Sequence, residues 1–267
     1  MSESLSSSKM SPLTRPLKRF RPKGAKRTYN WRMLALLPAW VTSAYITSNL
    51  VIAGVLIIMD TVHMPLESFV RPAILQTAVA TLIYALTIGI VVGAPYLLKR
   101  KIRTTLTDLG LDRLLSWADI GLAPVTFLLY VVATQIVLSI VILLIPSFPA
   151  GQAQDVGFSA LGSRADNILA FLTLVVLAPI AEETLFRGYL YGKLKKYVPA
   201  IVAALTTSLL FAIAHLQWNV GIDVFVLSLF LCGLRSLTGS IWAGILVHMI
   251  KNGVAYYILF VSPLFGG

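Results

Sequence analysis

The chain has 267 residues, 57% of them hydrophobic and only 12% charged, with a mean hydropathy of +0.83. Soluble domains carry about 25% charged residues, so the composition excludes an ordinary soluble fold and indicates an all-α, multi-pass membrane protein. The net charge of +11 would suit a nucleic-acid partner, but nine of the 22 Lys and Arg fall between Lys9 and Arg32, where a cytoplasmic tail lying on anionic lipid explains them better.

Residues 1–33 read as a disordered basic tail. About thirty polar residues precede the first apolar run, too many for the charged end of a cleavable signal. Spanning a bilayer takes about 20 apolar residues at 1.5 Å each, and seven segments qualify as candidates: 34–59, 72–98, 120–145, 167–190, 198–216, 221–234 and 239–260. The sixth is the shortest, so a full crossing by it is the weakest point of the count. Lipid offers the backbone no hydrogen bonds and the segments lack the alternation of a barrel, so all are expected to be helices in a bundle of about seven spans.

Lys and Arg are retained on the cytoplasmic side. Lys99, Arg100, Lys101, Arg103 and Arg113 follow the second segment, and Lys193, Lys195 and Lys196 follow the fourth. One orientation, with the N-terminus inside a cell membrane, satisfies every loop. Residues 104–119, with Leu109, Gly110, Leu111 and Trp117, are expected to form an amphipathic helix on the inner surface. The single cysteine, Cys232, allows neither an internal disulfide nor a cysteine-based zinc site and reads as a core residue.

Two adjacent carboxylates, Glu182 and Glu183, stand in the fourth segment. An ionisable group at membrane depth costs about 2.5–3.5 kcal/mol on insertion scales and usually faces a partner or a wet cavity. Counting helical rises inward from the loops puts Glu182, His215, His248 and Asn252 in one mid-membrane layer. Residues four apart share a helix face and adjacent ones differ by about 100°. Glu183 is therefore expected to pair with Arg187 while Glu182 points elsewhere; His248 stacks over Asn252 and Phe211 lies beneath His215.

If Glu182 and His215 share a water, the carboxylate can take its proton as the oxygen attacks a carbonyl carbon. His248 and the Asn252 amide are suitable donors to the oxyanion that forms. No nucleophilic Ser or Cys is needed. Other readings of the same residues stay open. Glu183 and Arg187 can be an interhelical tether, the histidines and Asn252 packing groups, and Phe211 a core aromatic. Asp223 and Asn49 read as boundary or packing residues. Gly239 and Ser240 read as a helix start, with Ser240 or a neighbour as cap. Glu182, His215 and His248 could also be zinc ligands, although no His-Glu-x-x-His pair is present. A non-catalytic membrane scaffold or immunity protein would use the same cavity for binding. A proton-relay transporter lacks the paired halves such proteins show.

Taken together, Glu182-Glu183-Thr-Leu-Phe-Arg187, Phe211-Ala-Ile-Ala-His215 and His248-Met-Ile-Lys-Asn252 resemble the three-motif signature of the CPBP family, the CAAX proteases and bacteriocin-processing enzymes, which includes the type II CAAX prenyl endopeptidases. The resemblance covers roughly 167–260, including Thr238-Gly-Ser-Ile-Trp-Ala, with a looser likeness at Leu109, Gly110, Leu111, Arg113 and Trp117. It implies a division into the tail, residues 34–166 as N-terminal helices and linker, and 167–267 as a catalytic membrane core. It also implies a metal-independent glutamate intramembrane endopeptidase without cofactor, acting among membrane lipids on a protein or peptide substrate, prenylated or not. Glu182 would be the base, His215 its partner, His248 and Asn252 the oxyanion hole, and Glu183, Arg187 and Phe211 supporting members. Substrate identity, cleavage position and oligomeric state are not implied.

Overall fold

A computed structural model describes residues 29–97, 103–152, 156, 158 and 161–262; the expected basic tail lies almost wholly outside them. The chain forms a multi-pass helical bundle, with no strand among the described residues. Its helices are α1 (Met33–Thr61), α2 (Pro72–Gly93), the short α3 (Leu106–Leu109), α4 (Trp117–Leu144), α5 (Arg164–Tyr197), α6 (Ala200–Ala214), α7 (Trp218–Thr238) and α8 (Trp242–Val261). Six of them are long and apolar enough to cross a membrane. Leu50, Ile57, Leu128 and Leu143 on α1 and α4 are exposed, as lipid-facing side chains are, whereas half of the apolar stretch of α7 is buried. The core therefore centres on α5 and α7, with α1, α2 and α4 outside.

Two expectations about spans are corrected. The sixth segment is not the short one: α7 has 21 residues, and the short helix is α6, with 15. Trp218, Asn219 and Val220 continue the helix upstream of Gly221 instead of breaking it, and Arg235 to Thr238 extend it to Gly239, whose φ of 71° stops it. The helix α6 ends early because the chain turns at Leu216, held at φ 55°. Gly239 thus closes α7 rather than opening α8; Ser240 still serves the start of α8, its hydroxyl accepting from the Trp242 N–H at 3.4 Å.

The expected amphipathic helix over 104–119 is also not formed. Two separate capping boxes divide the stretch: Thr105 with Asp108 starts α3, and Ser116 with Asp119 starts α4, each pair satisfying two orphan donors at a helix N-terminus. Between them Gly110, at φ 74°, takes the left-handed conformation that ends a helix cheaply only at glycine.

The linker is instead clamped to one end of the bundle. The Gly110 carbonyl accepts from the Ser240 hydroxyl at 2.8 Å and the Ile241 N–H at 3.2 Å. Arg235 donates to the Asp108 carbonyl at 3.0 Å, and the Trp242 indole N–H donates to the Arg113 carbonyl at 2.8 Å. Burial raises the Asp108 carboxyl, but the Lys196 ammonium and the Thr105 N–H and hydroxyl outweigh it and lower it to about 2. Asn30 enters beside the same end, donating to the Tyr197 carbonyl at 2.9 Å.

The close approach depends on missing side chains. A Cβ on Gly188 would lie 2.9 Å from the Leu109 carbonyl oxygen, whereas one on Gly233 meets nothing within 4 Å. Backbone cannot step aside as a side-chain tip can. Gly188→Ala is expected to lower stability by about 1–3 kcal/mol, the usual cost of overpacking. Gly233→Ala should be neutral or slightly stabilising, since alanine is the better helix former. Thermal unfolding of both variants in detergent checks the contrast; equal midpoints would show that the linker is not seated on α5.

Candidate functional site

The site is built around α5. This helix is not uniformly α: residues Leu172–Leu177 and Thr184–Tyr191 widen into π-helical turns, with a six-residue α segment, Ala178–Glu183, between them. Such bulges often occur at functional sites. The segment presents its two glutamates in different directions. Glu183 points into the protein, with its side chain fully buried, and Glu182 faces a cavity, at 16% exposure.

Glu183 and Arg187 pair along the helix as their spacing predicts, at 2.8 Å. The Arg187 guanidinium lies over the Phe211 ring, 4.3 Å from its centre, a cation–π contact strengthened by the absence of water. Phe211 in turn meets His215 edge-on at 4.8 Å and His248 at 5.9 Å, so one aromatic ring spaces three motif side chains. Gly244 clears room behind Glu183: a Cβ there would stand 3.1 Å from Glu183 Oε2.

The histidines take up distinct positions. His215 follows the last residue of α6, and its Nδ1 is 2.8 Å from the Phe211 carbonyl. A carbonyl only accepts, so Nδ1 carries hydrogen, and in the neutral ring the lone pair is on Nε2. His248 on α8 reaches both glutamates, with Nδ1 3.0 Å from Glu183 Oε1 and Nε2 3.6 Å from Glu182 Oε2. The Asn252 amide donates to the Leu174 carbonyl, in the first π-helical stretch of α5, at 2.9 Å. That leaves a second N–H and the amide oxygen.

Glu182, His215, His248 and Asn252, with Phe211, line one cavity of about 660 Å³. Glu183 and Arg187 are not part of its wall but stand behind it. Lys251 and Tyr84 also line it, and neither was singled out by sequence reasoning. Lys251 lies 3.6 Å from Asp223, which also accepts a hydrogen bond from the Tyr130 hydroxyl; Asp223 thereby ties α4, α7 and α8 together, a packing role. Asn49 donates to the Tyr45 carbonyl on its own helix at 2.9 Å, again locally. The Tyr84 hydroxyl donates to Glu182 Oε1 at 2.6 Å. The only signal for it in the sequence is a phenol inside an apolar run, a group that needs a partner when buried. Cys232 is buried and free. Among the described residues, no three His, Cys, Asp or Glu side chains are grouped so as to hold a metal ion.

Comparison with known proteins bears on the same stretch. Residues 164–254 match the family model for Rce1-like proteins, described as type II CAAX prenyl endopeptidase Rce1-like. This range contains all three motifs. An Escherichia coli protein described as an uncharacterized 24.3 kDa protein is 40% identical over 95 residues, 33% of this chain and 42% of that protein. The chain thus spans well under half of the relative's length. No solved structure matches it.

Proposed function

We propose that the chain is an intramembrane endopeptidase in which Glu182 activates water for attack on a peptide carbonyl. The observation that carries this reading is the shared cavity: a carboxylate from α5, an imidazole and an amide from α8 and a second imidazole from the turn after α6 face one space within an otherwise apolar bundle. The family description of residues 164–254 supplies the reaction class.

Each group has a part that fits its hydrogen bonds. Water held between Glu182 and Nε2 of His215 loses its proton to the carboxylate as its oxygen attacks, a general-base step. Glu182 then returns that proton to the leaving amine. His248 Nδ1 is engaged by Glu183 Oε1 at 3.0 Å, while Nε2, 3.6 Å from Glu182 Oε2, is left for the cavity. A hydrogen on Nε2, with the free N–H of Asn252, stabilises the oxyanion. Glu183, held by Arg187, fixes the orientation of His248 from behind, as a second carboxylate orients the imidazole in other hydrolases.

The substrate under this reading is a membrane-associated protein or peptide that carries a prenyl group near its carboxyl end. Its support is the family description, together with cavity walls of Val41, Ile46, Leu210, Ile213 and Leu259. Under this reading the N-terminus lies on the cytoplasmic side, an orientation that the distribution of Lys and Arg favours.

The test is a comparison of native membranes containing the wild type or Glu182→Ala, by mass spectrometry of terminal peptides. New carboxyl ends confined to the wild type support peptide hydrolysis, and prenylated peptides shortened at their ends support the narrower substrate. Identical termini in the two membranes, with both proteins present in equal amounts, reject the proposal in favour of a non-catalytic binding role.

A further inference from the structure

We infer that Tyr84, from outside the stretch that matches the family model, is a positioning residue that anchors one oxygen of the Glu182 carboxylate and so fixes its orientation. The inference deepens the reading of Glu182 as a base and rests on it for its functional meaning.

The geometry is direct. Tyr84 lies on α2, 98 positions before Glu182, and the hydroxyl-to-Oε1 distance of 2.6 Å is that of a charge-assisted bond. The other oxygen, Oε2, has His248 Nε2 at 3.6 Å, beyond hydrogen-bond length, and so remains available to the cavity. One oxygen is anchored and the other is left for the reaction. A carboxylate rotates about its last bond with little hindrance, so without the anchor Oε2 would not stay aimed at the attacking water.

A hydrogen-bond donor to a carboxylate favours its ionised form, so removing such a donor is readable in a titration. The other charged or titratable groups around Glu182 are Tyr45 from α1, His215, and His248, Lys251 and Tyr256 from α8, all lining the cavity, with Glu183 and Arg187 behind it on its own helix. Of these, His248 is the one in an ion-pair contact with Glu182, and it is shared with Glu183. Tyr84 is thus the donor dedicated to Glu182.

The helix α2 is fixed firmly enough for the task. One turn beyond Tyr84, the buried Thr87 hydroxyl donates to the Ile83 carbonyl at 2.7 Å and its oxygen lies against Ser48 Oγ on α1 at 3.1 Å. Thr77 accepts from Thr173 on α5 at 3.0 Å. Polar contacts on both sides of Tyr84 therefore set the depth of its ring against α5.

The test is an infrared pH titration of the full-length protein in nanodiscs, following the carboxylate band that disappears in Glu182→Gln. In Tyr84→Phe the midpoint of that band is expected to move up by about one pH unit, the size of a lost charge-assisted hydrogen bond. Ser48→Ala removes the polar contact of α1 with Thr87 on α2 and should lower thermal stability without moving the band. If Tyr84→Phe does not accumulate, Tyr84→Gln, which retains a donor, is compared with Tyr84→Met, which does not, and the midpoint should be higher for Met. An unmoved midpoint, or an equal movement in Ser48→Ala, overturns the inference.

Because the readout needs no turnover, it stands whether or not peptide cleavage is found. Where cleavage is measured, the acid limb of the rate profile should move with the band. The plateau at high pH should fall only severalfold, which a general loss of packing would not produce.

Discussion

Replacing Glu182 by Gln is expected to lower kcat for peptide cleavage by about a thousandfold or more, with the protein still folded and inserted. General-base catalysis contributes about 10²–10⁴ in rate, and the amide cannot accept the proton at all. The variant should fold because Glu182 carries little structure: its one hydrogen bond is from the Tyr84 hydroxyl to Oε1 at 2.6 Å, which a glutamine oxygen also accepts, and the glutamine NH2 then takes the place of Oε2, which is 3.6 Å from His248. Purified wild type and variant, assayed on one membrane-anchored peptide at saturating concentration, give the comparison. Retention of a tenth or more of the rate would remove Glu182 from the chemistry. A rate lost together with the thermal transition would give it a structural role.

The second large effect concerns the other glutamate. Arg187→Met should destabilise the bundle by about 3–5 kcal/mol, the cost of leaving one member of a buried pair unpartnered. Both side chains are fully buried, the guanidinium lies on the Phe211 ring, and the stranded Glu183 would keep only His248. Removing both charges tests this account. The double variant Glu183→Gln with Arg187→Met should recover most of the lost stability, because a neutral pair of similar volume has no ion to desolvate. Arg187→Lys should recover less, since an ammonium has neither the planar fork nor the stacking face of a guanidinium. Thermal unfolding of the four proteins in one detergent is the measurement. Additive losses, with the double variant worse than Arg187→Met alone, would show that the pair is not energetically coupled.

The local features of this protein follow from its sequence. Hydropathy and the scarcity of charge fix the multi-pass helical class, because a chain this apolar can satisfy its backbone in lipid only as helices. Helical periodicity pairs Glu183 with Arg187 and puts Phe211 beneath His215, since contacts four residues apart depend only on the pitch. Even the interrupted linker is written locally, in Thr105 with Asp108, Gly110, and Ser116 with Asp119. The lengths of α6 and α7 differ from the expected ones where the local signal is weak. Gly221 is tolerated within a buried helix, whereas the turn at Leu216 has no marked residue type.

Which side chains meet across helices is a different matter, set by the rotation, tilt and depth of each helix within the bundle. Sequence places Glu182, His215, His248 and Asn252 at similar depth, but only the tertiary structure seats His248 between the two glutamates, spends one Asn252 N–H on the Leu174 carbonyl, and brings Tyr84 across from α2. A contact spanning 98 positions leaves no periodic trace in the chain, because its energy depends on the packing of the intervening helices rather than on the residues beside either partner.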